Sequence, residues 1–198
     1  NSLFDALMEH PKGSRIDFSK LRITLSGGMA LMESVAEDWQ KVTGCVVSEG
    51  YGMTEASPVV SMNPLGYQKI GSAGIPIPGT EIKIVNEQGE EQEVGGEGEL
   101  CVHGDQVMEG YWNCSEKTAE TIVDGWLHTG DIGEITKEGN LKITDRKKEI
   151  IVNLGGDNIS PSKIENLLCL NEKIKQSFVY GDKKTYLVAL IVSDIDEN

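Results

Sequence analysis

The sequence has four cysteines and no Cys-x-x-Cys pair: Cys45, Cys101, Cys114 and Cys169 stand far apart, and its three histidines offer no zinc spacing. These read as reduced thiols of a cytoplasmic protein. Long apolar runs are also missing. The longest, Tyr186 to Val192, falls far short of the ~20 residues of a spanning helix and reads as a buried strand. Positive charge is scarce, with 18 Lys and Arg against 32 Asp and Glu; the formal charge of −14 repels phosphate backbones and argues against broad nucleic-acid binding. Any phosphate ligand must be held by a local arrangement. Neither Gly-x-Gly-x-x-Gly nor Gly-x4-Gly-Lys-Ser/Thr occurs, so the two commonest phosphate loops are excluded. The chain opens on Asn1 without a basic-then-apolar leader, which reads as a trimmed chain with no secretion signal.

What is abundant is glycine, 23 of 198 residues, against a usual ~7%. With 38% hydrophobic and 25% charged residues, the length suits one domain or one and a half around a real core. Leu21 to Ser26 is β-rich and runs into Gly27-Gly28. Met32, Val35, Ala36, Trp39 and Val42 then recur at helical spacing up to Gly44, a stop signal. Cys45 to Ser48 reads as a second strand. Strand, helix, strand is the unit of a parallel sheet, whose ligands sit at the strand carboxyl ends. The loops there are Ser26-Gly27-Gly28 and Glu49 to Glu55.

After Pro58 short alternating segments (Glu81 to Val85, Glu99 to His103, Ile132 to Thr136, Leu141 to Thr144) alternate with glycine turns, which predicts an antiparallel sheet or small barrel over Asn63 to Asp145. Glu116 to Val123 reads as a short helix, and the six glutamates of Glu87 to Glu99 as a solvated hairpin. A third texture begins at Arg146: a strand at Glu149 to Val152, a turn at Gly155-Gly156, a helix opened by Ser160-Pro161 and running to about Leu170, and a hairpin about Gly181-Asp182. The fold class is α/β plus α+β. Residues 1–145 form the larger part (1–62 βαβ, 63–145 barrel), and residues 146–198 begin a smaller α+β unit.

Several residues could do chemistry. Tyr51-Gly52-Met53-Thr54-Glu55 offers an aromatic face for a base, a glycine for close backbone approach, a hydroxyl for a phosphoryl oxygen and a carboxylate for Mg²⁺; an ordinary helix start is the competing reading. Asp131, in His128-Thr129-Gly130-Asp131, could accept from a cis-diol or merely stabilise a turn. His128 reads as a packing or turn residue. Arg146-Lys147-Lys148 is the compact cationic cluster of an acidic chain, either surface or a phosphate or ribose contact at a hinge. Gly155-Gly156 could approach a ligand or form a type I′ turn.

Taken together and in order, Ser26-Gly27-Gly28-Met29-Ala30-Leu31, Glu49 to Glu55, Gly98 to Gly104 with Gly110-Tyr111-Trp112, Gly125 to Asp131, and Asp145 to Glu149 resemble the adenylate-forming enzymes, most nearly the long-chain fatty acid-CoA ligases. The resemblance covers essentially the whole chain. It implies Mg²⁺ as cofactor and ATP, CoA and a fatty acid as substrates. It makes Thr54 and Glu55 the catalytic pair, with Thr54 on the phosphates and Glu55 on the metal. Gly27, Gly28, Gly50, Tyr51 and Gly52 line the adenine and acyl side. Asp131 and Arg146 hold the ribose, Lys148 is the hinge, and Gly155 and Gly156 approach the CoA channel. Two of the family's elements, a Ser/Thr/Gly-rich phosphate loop upstream and a lysine beyond Asn198, fall outside this sequence, so it is expected to be an inactive fragment. A Gly-Gly pair also stands where many relatives carry one glycine. Other acid substrates (aryl, short-chain or amino acid), a non-catalytic module reusing the fold, and a peripheral membrane contact remain open, as does oligomeric state.

Overall fold

The computed structural model describes residues 2–29, 31–171 and 173–193. Ala30 of the Ser26 to Leu31 motif lies outside the described residues, as do the terminal Asn1 and Asn198. Helix α1 (Ser2–Glu9) precedes strand β1 (Thr24–Ser26), helix α2 (Glu33–Thr43) and strand β2 (Val47–Gly52). β1 and β2 pair in parallel with Thr24 opposite Val47, as a strand-helix-strand unit requires. Helix α2 ends where Gly44 takes φ +71° and returns its N–H to Gln40, a left-handed cap that a side chain would strain. Val35, Ala36 and Trp39 are buried with Phe4, Leu31 and Val47. Trp39 donates from Nε1 to Thr24 Oγ1 at 3.0 Å, which ties the helix to β1. Val42, expected on the same face, is exposed, since it lies at the helix's last turn, past the reach of that cluster.

β2 runs further than the sequence indicates. Instead of ending at Ser48 it carries Glu49 to Gly52 as strand, because β3 (Val59–Met62) returns antiparallel and pairs Gly50 with Met62 and Tyr51 with Ser61. The motif therefore begins on a strand, and only Thr54–Ala56 is a 3₁₀ turn. β4 (Ile75–Pro76) completes this sheet in the order β1-β2-β3-β4.

The antiparallel segments form an open sheet, half of a barrel. β5 (Thr80–Val85), β6 (Gly98–Gly104), helix α3 (Ser115–Thr121), β7 (Ile122–Val123), β8 (Trp126–Ile135) and β9 (Leu141–Arg146) follow in the chain. β8 lies between β6 on one side and both β7 and β9 on the other. Ala56, Val60, Ile84, Leu100, Val102, Leu127 and Leu141 form a buried cluster joining this sheet to the first. Ala73 and Gly74 sew the two sheets together through hydrogen bonds to the backbone of Leu141.

Beyond it come β10 (Ile151–Val152), β11 (Asn158–Ile159), helix α4 (Pro161–Leu168), β12 (Ile174–Tyr180) and β13 (Val188–Ser193). Ser160 caps α4 by accepting from the Lys163 N–H at 3.2 Å, with Pro161 in the first turn. The apolar run Tyr186 to Val192 supplies β13 but is not buried. Leu190 is 71% exposed, because α4 covers β12, where Glu165 accepts from the Val179 N–H at 2.7 Å, and among the described residues no element covers the other side of the hairpin. Of the two readings of Gly155-Gly156, a ligand approach or a type I′ turn, the structure excludes the turn. Only Gly156 has positive φ, +86°, in a loop closed by the Asp157 N–H donating to Asn153 Oδ1 at 2.9 Å; a type I′ turn needs two such residues.

Candidate active site

Gly27 and Gly28 after β1, and Gly50, Tyr51 and Gly52 on β2, line one cavity of about 300 Å³ together with Pro58, Val59, Ser61 and Met62. The five residues assigned to the adenine and acyl side are thus brought together. Gly52 serves the protein's own backbone there: a Cβ on it would sit 1.9 Å from the Pro58 carbonyl oxygen. The close approach expected for a ligand is made by β3 instead. This packing holds the 3₁₀ turn, in which the Met53 N–H donates to Pro58 O at 2.8 Å and Thr54 is left exposed.

Glu55 is held from a distance in sequence. Tyr111 donates its hydroxyl to Glu55 Oε1 at 2.8 Å, and the Met108 N–H donates to the Glu55 carbonyl at 2.8 Å. Glu55 Oε2 has no protein hydrogen bond among the described residues. Tyr111 belongs to Gly110-Tyr111-Trp112, which carried no role in the sequence reading; the glycine-aromatic pair was the available signal. The bond to Glu55 is the main cause that raises the Tyr111 phenol above its ordinary value, so the phenol remains a donor.

Asp131 lies within β8 rather than at a strand-end turn. It is buried and pairs in register with Arg146 on β9. Arg146 Nε lies 3.2 Å from Asp131 Oδ1 as an ion pair, while the Tyr51 hydroxyl donates to Oδ2 at 2.5 Å. Burial first, then the neighbouring carboxylate, pushes the Tyr51 phenol upward, which keeps it a neutral donor. Three residues singled out in three separate motifs therefore form one cluster beside the cavity. A carboxylate has about four lone-pair sites, so each oxygen of Asp131 can accept once more, as a diol requires.

Glu99 departs from the solvated hairpin in which it was placed, whereas Glu97 is exposed as expected but ion-paired. Lys163 Nζ reaches Glu97 at 2.8 Å, and Lys147 Nζ reaches Glu99 at 3.0 Å. Burial raises both carboxyls, but the hydrogen bonds from Lys163 and Thr144 to Glu97, and from Lys147 and His128 to Glu99, outweigh it and hold both below the ordinary range. Glu87, Glu90, Glu91 and Glu93 are solvated as expected. These links bridge a larger groove of about 770 Å³ between the antiparallel sheet and β10, β11 and α4. Lys148 is exposed in the turn closed by the Glu149 N–H on Arg146 O at 2.9 Å, and Gly155 and Gly156 are exposed in the β10–β11 loop. Among the described residues, neither group makes a hydrogen bond or ion pair to the side chains of the Tyr51-Asp131-Arg146 cluster.

Such a site, a glycine-lined cavity with a strand-held carboxylate and an adjacent guanidinium, has the chemistry of a nucleotide-binding enzyme. The chain belongs to the AMP-binding enzyme family, whose profile matches residues 1–112. It is 44% identical to a long-chain-fatty-acid–CoA ligase of Haemophilus influenzae over 182 residues, 91% of this chain and 32% of that protein. It is 38% identical to long-chain-fatty-acid–CoA ligase 1 of Homo sapiens over 99% of this chain and 28% of that one. The chain thus spans about a third of the length of these relatives. Among solved structures it is similar to O-succinylbenzoate coenzyme A synthetase of Bacillus subtilis, in complex with ATP and magnesium ion, with a TM-score of 0.82 and 30% identity over 98% of this chain and 40% of that one. An amide bond synthetase of Marinactinospora thermotolerans superposes with a TM-score of 0.88 at 27% identity over 100% of this chain and 41% of that one.

Proposed function

We propose that this chain carries the nucleotide-holding part of an acid–thiol ligase that activates a long-chain fatty acid as its adenylate and passes the acyl group to CoA. The observation that supports it best is the meeting of Tyr51, Asp131 and Arg146, 80 residues apart in sequence at the Tyr51–Asp131 bond, beside the cavity of Gly27, Gly28, Gly50 and Gly52. The relatives' shared name supports the long-chain acid.

In this reading the fatty carboxylate attacks the α-phosphorus of ATP, the bond to the β-phosphate oxygen breaks, and pyrophosphate leaves. The CoA sulfur then attacks the acyl carbon and AMP departs. A carboxylate is a poor electrophile, and adenylation supplies the leaving group. Catalysis is chiefly positioning and charge stabilisation. Asp131 accepts from the ribose hydroxyls, with Arg146 beside it. Thr54 donates to a phosphoryl oxygen from the exposed turn. Glu55 is one carboxylate with a free oxygen. That fits Mg²⁺, which keeps several waters and takes one or two carboxylates plus substrate phosphates; among the described residues no group of three or more acidic, His or Cys ligands exists, so a caged metal is not the fit. When bound, the metal supplies charge neutralisation at the phosphates. Lys148 serves as hinge, and Gly155 with Gly156 flanks the CoA path. We place the enzyme in the cytoplasm, supported by four free cysteines. No helix among the described residues is long and apolar enough to cross a membrane.

The test is acid-dependent release of AMP by the full-length polypeptide with CoA present, comparing palmitate, acetate, benzoate and an amino acid. Palmitate-dependent thioester supports the reading. Turnover with benzoate or the amino acid alone would replace the substrate class, and nucleotide binding without turnover on any acid would favour a module that reuses the fold.

A further inference from the structure

We infer that Glu99 is a positioning residue for the ribose contact, its carboxylate holding the bulge of β8 that presents Asp131. The inference rests on the ribose assignment of Asp131. The pairing of β6 with β8 sets Glu99 opposite Ile132 and Cys101 opposite His128. One residue, Leu100, therefore spans the same distance as three on β8, Thr129, Gly130 and Asp131, and these arch away from β6 while Asp131 keeps its pairing with Arg146 on β9. Bulges of this kind re-aim a side chain and gather next to active sites. Gly130 turns the arch with φ +73°, a left-handed conformation that glycine adopts without steric cost.

An arch withdrawn from a ladder leaves polar backbone that needs partners. The Gly130 N–H donates to Glu99 Oε1 at 3.1 Å. The Gly130 carbonyl accepts from the Lys147 N–H at 2.8 Å. Thr129 Oγ1 donates to Leu100 O at 2.9 Å and accepts from the Asp131 N–H at 3.1 Å. On its other oxygen, Glu99 accepts from Lys147 Nζ at 3.0 Å and faces His128 Nδ1 at 3.3 Å. The Glu99 side chain is only 11% exposed. A carboxylate this buried is costly unless paired and hydrogen-bonded, and its donors converge on the residue before Asp131 and the residue after Arg146. Glu99 thereby fixes both halves of the Asp131–Arg146 pair from behind. The row Cys101, His128, Glu99 is not a nucleophilic triad: Cys101 is fully buried, and burial pushes its thiol up to about 11.

The experiment compares binding of AMP and 2′,3′-dideoxy-AMP to this chain and its variants by calorimetry. The wild type is expected to favour AMP by about tenfold or more, the worth of a charge-assisted contact. Glu99→Ala is expected to cut that ratio to about threefold or less, with affinity for the dideoxy nucleotide changed less than about twofold. Glu99→Gln, whose amide oxygen still accepts from Gly130, is expected to keep the ratio within about twofold of wild type. A general loosening of the fold would weaken both nucleotides alike and leave the ratio intact; that result overturns the inference. If Glu99→Ala does not fold, Glu99→Asp asks the same question, since a shorter side chain cannot reach both Gly130 and Lys147, and an unchanged ratio there also overturns it. A wild type that binds both nucleotides equally refutes instead the ribose assignment beneath it.

Discussion

Replacing Gly52 by alanine tests the packing that holds Thr54 and Glu55. The added Cβ would lie 1.9 Å from the Pro58 carbonyl oxygen, 2.8 Å from its carbon and 3.0 Å from Val59 Cα. All three neighbours are backbone and cannot turn aside as a side chain would. Ordinary contact begins near ~3.5 Å, so β2 and β3 must part by more than an ångström where they meet. The Met53 N–H to Pro58 O bond of 2.8 Å is lost in that movement. One lost backbone hydrogen bond costs about 1 kcal/mol and overpacking about 1–3 kcal/mol, so Gly52→Ala should destabilise by about 2–4 kcal/mol. For a chain of this size that lowers Tm by roughly 4–16 °C. Gly27→Ala is the control: it lines the same cavity, but its Cβ would find only Gly50 O, at 3.4 Å, and the change should stay within about 0.5 kcal/mol. Urea denaturation reads both, with the slope m expected to hold constant. If Gly52→Ala unfolds at the same urea concentration as Gly27→Ala, the two strands are not rigidly apposed and the account of the turn is wrong.

Asp131→Ala leaves the half-buried Tyr51 hydroxyl without its partner and should cost about 1–3 kcal/mol; Tyr51→Phe in that background should recover part of it, and strictly additive losses in a double-mutant cycle would deny the coupling. Glu97 and Glu99, held below the ordinary 4.5, contribute stability that is present above that pH and lost as pH falls through their lowered values, while Glu49, raised by burial against hydrogen bonds from Gly71 and Leu31, costs stability as pH rises through 4.5. The double variant Glu97→Gln, Glu99→Gln should therefore show a shallower loss of stability on acidification than wild type; an unchanged profile would remove these groups from the account. Lys148→Pro places proline at the third position of the turn closed by Arg146 O and Glu149 N, where it is disfavoured. In the full-length polypeptide it should spare one half-reaction and depress the other, so an equal fall in ATP–pyrophosphate exchange and thioester formation would deny the hinge.

The sequence is most legible where one local rule acts alone. Val35, Ala36 and Trp39 repeat at helical spacing and Gly44 stops them, so α2 could be read to within a residue of its bounds. Ser160-Pro161 likewise marks the start of α4. The candidate site residues could be singled out in the sequence, but the contacts that hold them could not. His128 to Asp131 reads as a turn because glycine interrupts it, yet the stretch lies within β8 and bulges there without ending the strand. What makes that possible is Glu99, some 30 residues upstream, with its carboxylate under Gly130. Tyr111 holding Glu55 is hidden for the same reason: a contact across 56 residues leaves no periodic trace. Tyr186 to Val192 failed in the other direction. An apolar run states what could be buried, whereas burial depends on a covering layer, and α4 lies over β12 instead.

The most direct test of the central claim, that Thr54-Glu55 and Asp131-Arg146 belong to one metal-assisted nucleotide site, is calorimetric titration of this chain with ATP and with AMP, each with and without Mg²⁺. The account predicts that Mg²⁺ strengthens ATP binding but leaves AMP binding unchanged, and that Glu55→Gln abolishes the magnesium effect while AMP still binds. ATP affinity indifferent to both Mg²⁺ and Glu55→Gln, or the absence of any nucleotide binding, would contradict it.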